Sequence, residues 1–176
     1  MMTMKETMPV FSNDVVQSLI LPYKRGKFNM VLMMPTSDKT LADMYSVLDG
    51  DTWSTWIEAH REQELDITIP KFKFDYKNEL KEELERLGLG IAFTNQANFQ
   101  GINPGTGLQI SRVVHKTFID VNEQGTEAAA VTATGMETTS AGPRFLANRP
   151  FLFAITEVNT GSICFIGEVA APKYDD

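Results

Sequence analysis

Cysteine is almost missing from this chain. Cys164 stands alone, so an internal disulfide is excluded, and its place in the apolar run SICFIGEV marks it as a small buried hydrophobe. Histidine is nearly as scarce, with His60 and His115 only. One thiol and two distant imidazoles make a metal site improbable, and no cofactor is expected. Positive charge is also short: 16 Lys and Arg stand against 23 Asp and Glu, a net charge of −7. The basic residues are scattered apart from Lys24, Arg25 and Lys27, which read as a solvated turn. Without a basic stripe to neutralise phosphates, nucleic acid is not an expected partner. No run of about 18 apolar residues occurs, so no membrane-spanning helix is expected. The opening MMTMKETMPVF lacks the charged, apolar, then small plan of a signal peptide. It alternates Met with polar residues like the interior of a domain, and the chain is expected to be incomplete there.

What is present fits one globular domain over 1–176, with 43% apolar and 22% charged residues. VVQSLILPY and FNMVLMMP read as strands joined at KRGK, with Gly26 in the turn. Met30, Met33 and Met34 sit among Val and Leu and are expected to pack rather than bind metal. A helix begins near Thr40, with Asp43 completing a capping box, and ends before Gly50. A second begins near Asp51 or Thr52, places Trp53, Trp56 and Ile57 on one face, and leaves His60 as an exposed residue at its C-terminal end. ELDITIPKFKFD alternates Leu65, Ile67 and Ile69 with polar residues until Pro70 shifts the period, which predicts a kink or change of sheet. KNELKEELERLGLG carries Leu80, Leu84 and Leu87 at helical spacing, with Gly88 as its C-terminal cap. QGINPGTG is a loop without the Gly-Lys-Ser/Thr ending of a phosphate loop. Leu108 to Val121 predicts a long central strand covered on both faces. RFLANRPFLFAITEV and SICFIGEVA predict two strands joined at NTGS as a hairpin. The class is α+β: mostly antiparallel sheets with a few short helices.

Catalytic constellations are thin. Ser111 and His115 share a strand face with Thr117, but no Gly-x-Ser-x-Gly turn or positioned acid accompanies them. They are expected to be a buried, hydrogen-bonded pair rather than an active site, so the chain does not read as an enzyme. The stranger feature is EQGTEAAAVTAT, Glu123 to Thr134, which carries almost no large side chain. At a period of two, Thr126, Ala128, Ala130, Thr132 and Thr134 share one face, while Glu127, Ala129, Val131 and Ala133 share the other. The first face has no charge and could be buried. The segment can be a loose loop in one state and a half-buried strand in another.

VNEQGTEAAAVTAT resembles the hinge of the serpin reactive-centre loop, and FLANRPFLFAI resembles the C-terminal signature of that family. SRVVHKTFIDV and LPYKRGKFNMVLMMP are similar to other serpin segments, in family order. The resemblance covers nearly the whole chain and implies a partial serpin fold, the C-terminal half, with an exposed reactive-centre loop at about 123–146. It implies a suicide-substrate inhibitor of serine proteases. The target cleaves the loop, which inserts into the central sheet while the protease stays bound as an acyl complex. By family spacing the reactive bond is Thr139–Ser140, which suits an elastase-like or subtilisin-like target, and the hinge is Glu123, Gln124, Gly125, Thr126, Glu127, Ala128, Ala129 and Ala130. Lys71 and Glu123 resemble a charge pair where the loop enters the sheet, and His115 resembles a histidine beneath the sheet centre. Asn148, Arg149, Pro150 and Phe151 match the signature. The implied partners are a serine protease and the missing N-terminal half of the fold, with an extracellular location favoured. A non-inhibitory binding or chaperone-like serpin module is the alternative, as is an inactive fragment lacking the insertion partner.

Overall fold

The structure, a computed structural model, describes residues 1–105, 107–122 and 142–171. The chain divides into two units, one formed by Met1–Lys73 with Asp120–Asp176 and the other by Phe74–Ile119.

The first unit is built on a seven-stranded sheet. Its strands are β1 (Met2–Ser12), β2 (Val16–Pro22), β3 (Phe28–Pro35), β4 (Arg61–Ile69), β7 (Arg144–Leu146), β8 (Phe151–Glu157) and β9 (Ile163–Val169), in the order β7-β4-β1-β2-β3-β8-β9. All neighbours are antiparallel except β4 and β7. The β2–β3 turn has Gly26 at φ +62°, a left-handed conformation that a residue with a Cβ adopts only under strain. Between β3 and β4 lie helices α1 (Leu41–Val47) and α2 (Gly50–Glu58). Thr40 and Asp43 form a full capping box: the Thr40 hydroxyl accepts from the Asp43 amide at 3.2 Å, and the Asp43 carboxylate accepts from the Thr40 amide at 2.8 Å. The Thr40 hydroxyl also donates to that carboxylate at 2.7 Å, and this bond, with the one from the Thr40 amide, holds the Asp43 carboxyl below its usual range. Asp49 caps α2 from one side only, its carboxylate accepting from the Thr52 amide at 2.8 Å.

Both helices cover one face of the sheet. Met44 and Trp56 pack on Val16, Ile20, Val31, Met33 and Leu152, with Phe11, Trp53 and Ile57 at the margin. On β8, Phe151 and Phe153 alternate with Leu152 and so belong to the opposite face, where both meet the buried ring of Phe72. Strands β2 and β3 are therefore apolar in consecutive positions, and Met30, Met33 and Met34 are buried packing residues as expected. Gly167 on β9 lies under Phe153, where a Cβ would come within 2.6 Å of the ring. Tyr45 of α1 donates to Glu168 of β9 at 3.0 Å, and burial together with that carboxylate pushes its phenol up to about 12.

β5 (Phe72–Glu79) and β6 (Val114–Val121) form a separate two-stranded sheet. Pro70 thus marks a change of sheet, as the shifted period predicts. In the second unit, α3 (Lys81–Leu84) runs into a wide turn at Glu85–Leu89 and a short 3-10 turn at Gly90–Phe93, with Gly88 at φ +92° ending the helical run.

Several expectations are corrected. The strand drawn from Leu108 begins only at Val114, and Phe118 is 59% exposed. β5 is its one neighbour among the described residues, so the cover implied by its apolar composition is not supplied there. Leu87 is 78% exposed because the regular helix stops at Leu84 and Leu87 lies in the wide turn at Glu85–Leu89, out of the spacing that would have aligned it with Leu80 and Leu84. Cys164 is exposed rather than buried, since it lies on β9 at the end of the sheet order. RFLANRPFLFAITEV is two strands, β7 and β8, with different partners.

Candidate functional site: the anchors of the small-residue segment

The hinge residues Glu123 to Ala130 and the reactive bond Thr139–Ser140 lie outside the described residues. The structure does describe the chain on either side of them.

At the departing end, β6 closes with Asp120 and Val121. The Asp120 carboxylate accepts from the Asn122 side-chain amide at 2.8 Å and stands 3.9 Å from the Lys73 ammonium on β5. Both partners of that ion pair are partly exposed, so its contribution is about 0–1 kcal/mol. Its importance is positional, because it ties β6 to β5 just before the segment begins. Lys71, the sequence candidate for sheet entry, lies two residues before Lys73 on the same chain segment. Its expected partner, Glu123, is outside the described residues.

At the returning end, the Pro143 carbonyl accepts from the Asp66 amide at 3.1 Å, and the Ala147 amide donates to the Thr68 carbonyl at 2.9 Å. Between them Arg144–Leu146 runs parallel to β4, with Phe145 opposite Ile67. Both of those side chains are buried, which fixes the register, since a one-residue slip would place Arg144 in the core. The strand that follows the segment spans Arg144–Leu146.

The signature follows directly. Arg149 donates from Nη1 to the Thr36 carbonyl at 2.7 Å, a charge-assisted bond reaching across 113 positions of sequence. Phe151 is fully buried, with its ring edge-on to Phe72 at 5.8 Å. The Asn148 amide donates to the Leu146 carbonyl at 3.0 Å, closing the bend that carries the chain from β7 to β8. The signature is thus the joint between the landing strand and the core.

His115 and Thr117 do share a face of β6, with Nε2 and Oγ1 2.8 Å apart and the Tyr76 ring 6.3 Å away. Ser111 lies outside the strand, and both Ser111 and His115 are exposed. The buried Ser–His pair is corrected accordingly. Sequence reading missed Asp120, Lys73 and Thr36, whose partners are set by sheet pairing and not by local pattern. It also misplaced His60, which is buried: Nδ1 faces the Trp56 and Ile57 carbonyls at 2.8 and 3.2 Å, and Nε2 faces the Ser18 hydroxyl at 2.9 Å. Among the described residues no cluster of three metal-ligating side chains occurs, and no helix is long and apolar enough to cross a membrane.

A family model described as "Serpin (serine protease inhibitor)" matches residues 1–172. The chain is 36% identical over 162 residues to Serpin B11 of Homo sapiens, covering 89% of this chain and 41% of that protein. It is 38% identical over 156 residues to Intracellular coagulation inhibitor 2 of Tachypleus tridentatus, covering 87% and 38% respectively. Uncleaved ovalbumin superposes with a TM-score of 0.87 at 26% identity, over 97% of this chain and 47% of that one. Thyroxine-binding globulin complexed with thyroxine gives 0.84 at 26% identity, over 98% and 46%. The chain therefore spans less than half the length of these relatives.

Proposed function

Because the chain belongs to the serpin family, we propose that it is the loop-bearing part of a suicide-substrate inhibitor of serine proteases. The observation that carries this reading is the anchoring of the small-residue segment. β6 delivers the chain at Val121 in one sheet, and β7 takes it up again at Arg144 in another. A segment held at both ends and free of bulky side chains can be offered to a protease as substrate. Its period-two pattern also makes it fit to add to a sheet as a strand, the mode by which serpin loops insert. Cleavage at Thr139–Ser140 starts the process, and a Thr before the bond selects a protease with a small primary pocket, elastase-like or subtilisin-like. Glu123, Gln124, Gly125, Thr126, Glu127 and Ala128 to Ala130 form the hinge. Lys71 pairs with Glu123 at the point of entry, and His115 lies beneath the strands that part. The remaining partner is the N-terminal half of the fold, which supplies the other side of the receiving sheet.

The test is a denaturing gel of the full-length protein that carries this segment, after incubation with an elastase-like protease. A protease-linked band that survives denaturation is expected. Cleavage without such a band would move the protein to a second reading, a binding module of the same fold. That reading draws on the globulin solved with bound thyroxine, onto which this chain superposes well. The hinge favours inhibition, since Gly125, Thr126 and Ala128 to Ala130 are small and uncharged, and Thr126, Ala128 and Ala130 share the face that would be buried. Location is a separate matter: the extracellular site favoured by family resemblance competes with the intracellular one named for the Tachypleus tridentatus relative. Fractionating cells that express the full-length protein decides between them.

A further inference from the structure

His60 is a buried imidazole that the proposed inhibitory chemistry does not use. It is 9% exposed, lies at the end of α2 and immediately precedes β4. Its Nδ1 faces two backbone carbonyls, which accept only, so Nδ1 must carry a proton. In the neutral ring Nε2 is then an acceptor, and the Ser18 hydroxyl of β2 donates to it at 2.9 Å. Every polar group is satisfied by this one tautomer. The Phe11 ring of β1 lies 5.8 Å away and Trp56 is buried one turn earlier.

A second proton on Nε2 would overturn this arrangement. Nε2 would become a donor, and the Ser18 hydroxyl proton would need a new acceptor at a site that is 1% exposed. The surrounding charges do not compensate. β2 carries no titratable side chain. β1 meets the ring through Phe11, and its Lys5 and Glu6 lie further along the strand beside β4. α2 carries Asp51 in its first turn and an exposed Glu58. On β4 the next residue is a cation, Arg61, whose guanidinium donates to the carbonyls of Glu58 and His60, both at 2.7 Å, and Glu62 and Glu64 are exposed. The two carbonyls on Nδ1 favour the imidazolium, but burial outweighs them and lowers the His60 pKa.

We propose that His60 is an acid-sensitive latch: neutral, it ties the end of α2 to β2 through Ser18, and protonation releases that tie at the start of β4. The element affected is functional in position, since β4 carries the landing strand β7. The pH window follows from linkage. The unfolded imidazole takes up its proton near pH 6.5, whereas the folded one resists until lower pH. Stability is therefore full above about pH 6.5 and declines as pH falls below it.

Nitrogen NMR of the 176-residue chain tests this directly, because His115 is the only other imidazole and His115→Gln assigns the signals. The expected result is a Nδ1-protonated neutral ring at about pH 7.5 and a midpoint below about 6.5. Tm should fall by several degrees between about pH 7 and pH 5.5. The double variant His60→Met with Ser18→Ala removes both ends of the tie and should lose most of that pH dependence. The opposite tautomer, a midpoint at or above 6.5, or an undiminished pH dependence in the double variant would each overturn the proposal. Should the double variant not fold, the spectrum of the unmodified chain still decides.

Discussion

Phe151 has no exposed surface and holds Phe72 edge-on, so truncating it leaves a void that neighbouring strands cannot collapse into. Phe151→Ala is expected to cost about 3–5 kcal/mol in a urea titration, against near-neutral change for truncation of the exposed Phe118. What was legible was the resemblance of the Asn-Arg-Pro-Phe run, flanked by apolar residues, to a family signature; the burial of Phe151 comes from the sheet. His60 was not legible. Helix periodicity places a residue on a face, but whether the helix end meets solvent or a strand depends on Ser18, 42 positions away. Cys164 misled for a related reason. An apolar neighbourhood in sequence implies burial only when a second layer covers that strand.

At the level of elements, local signals did best where the physics is local. The turn at Gly26, the capping box on α1, the break at Pro70 and the cap at Gly88 each depend on residues within a few positions of one another. Thr40 illustrates the size of such effects. Its hydroxyl satisfies an amide that would otherwise have no partner in the first turn of a seven-residue helix. Thr40→Ala is expected to lower stability by about 1 kcal/mol, whereas Thr40→Ser, which keeps the hydroxyl, should lose little. Thermal melts of the two variants side by side give the comparison. Strand lengths and partners were harder to read. In RFLANRPFLFAITEV the Asn-Arg-Pro run can break the strand, but nothing local shows that β7 lies at one end of the sheet order and β8 next to the other. The parallel pairing of β7 with β4, the antiparallel pairing of β8 with β3 and β9, and the Arg149 bond to Thr36 separate them.

For the whole molecule, the decisive quantity is what receives the small-residue segment. An inserting strand needs a neighbour on each edge, because a backbone amide or carbonyl left without a partner in a buried sheet costs about 1–3 kcal/mol. Among the described residues β6 pairs with β5 alone, and Phe118 and Val114 stand exposed on it. The 176-residue chain by itself should therefore be cut by an elastase-like protease without forming a covalent band on a denaturing gel; such a band from this chain alone would refute the need for a second flanking strand. In the full-length protein the same experiment has a sharper form. Thr126 belongs to the uncharged face of the alternation, so Thr126→Arg would carry an unpaired cation into the sheet if the segment inserts, a cost of several kcal/mol. Cleavage then outpaces insertion, and the variant should be turned over as a substrate with little or no covalent complex. Arg placed instead at Glu127, on the water-facing side, should leave complex formation close to that of the unmodified protein. Equal loss from both substitutions would mean that the segment does not enter the sheet in the alternating register.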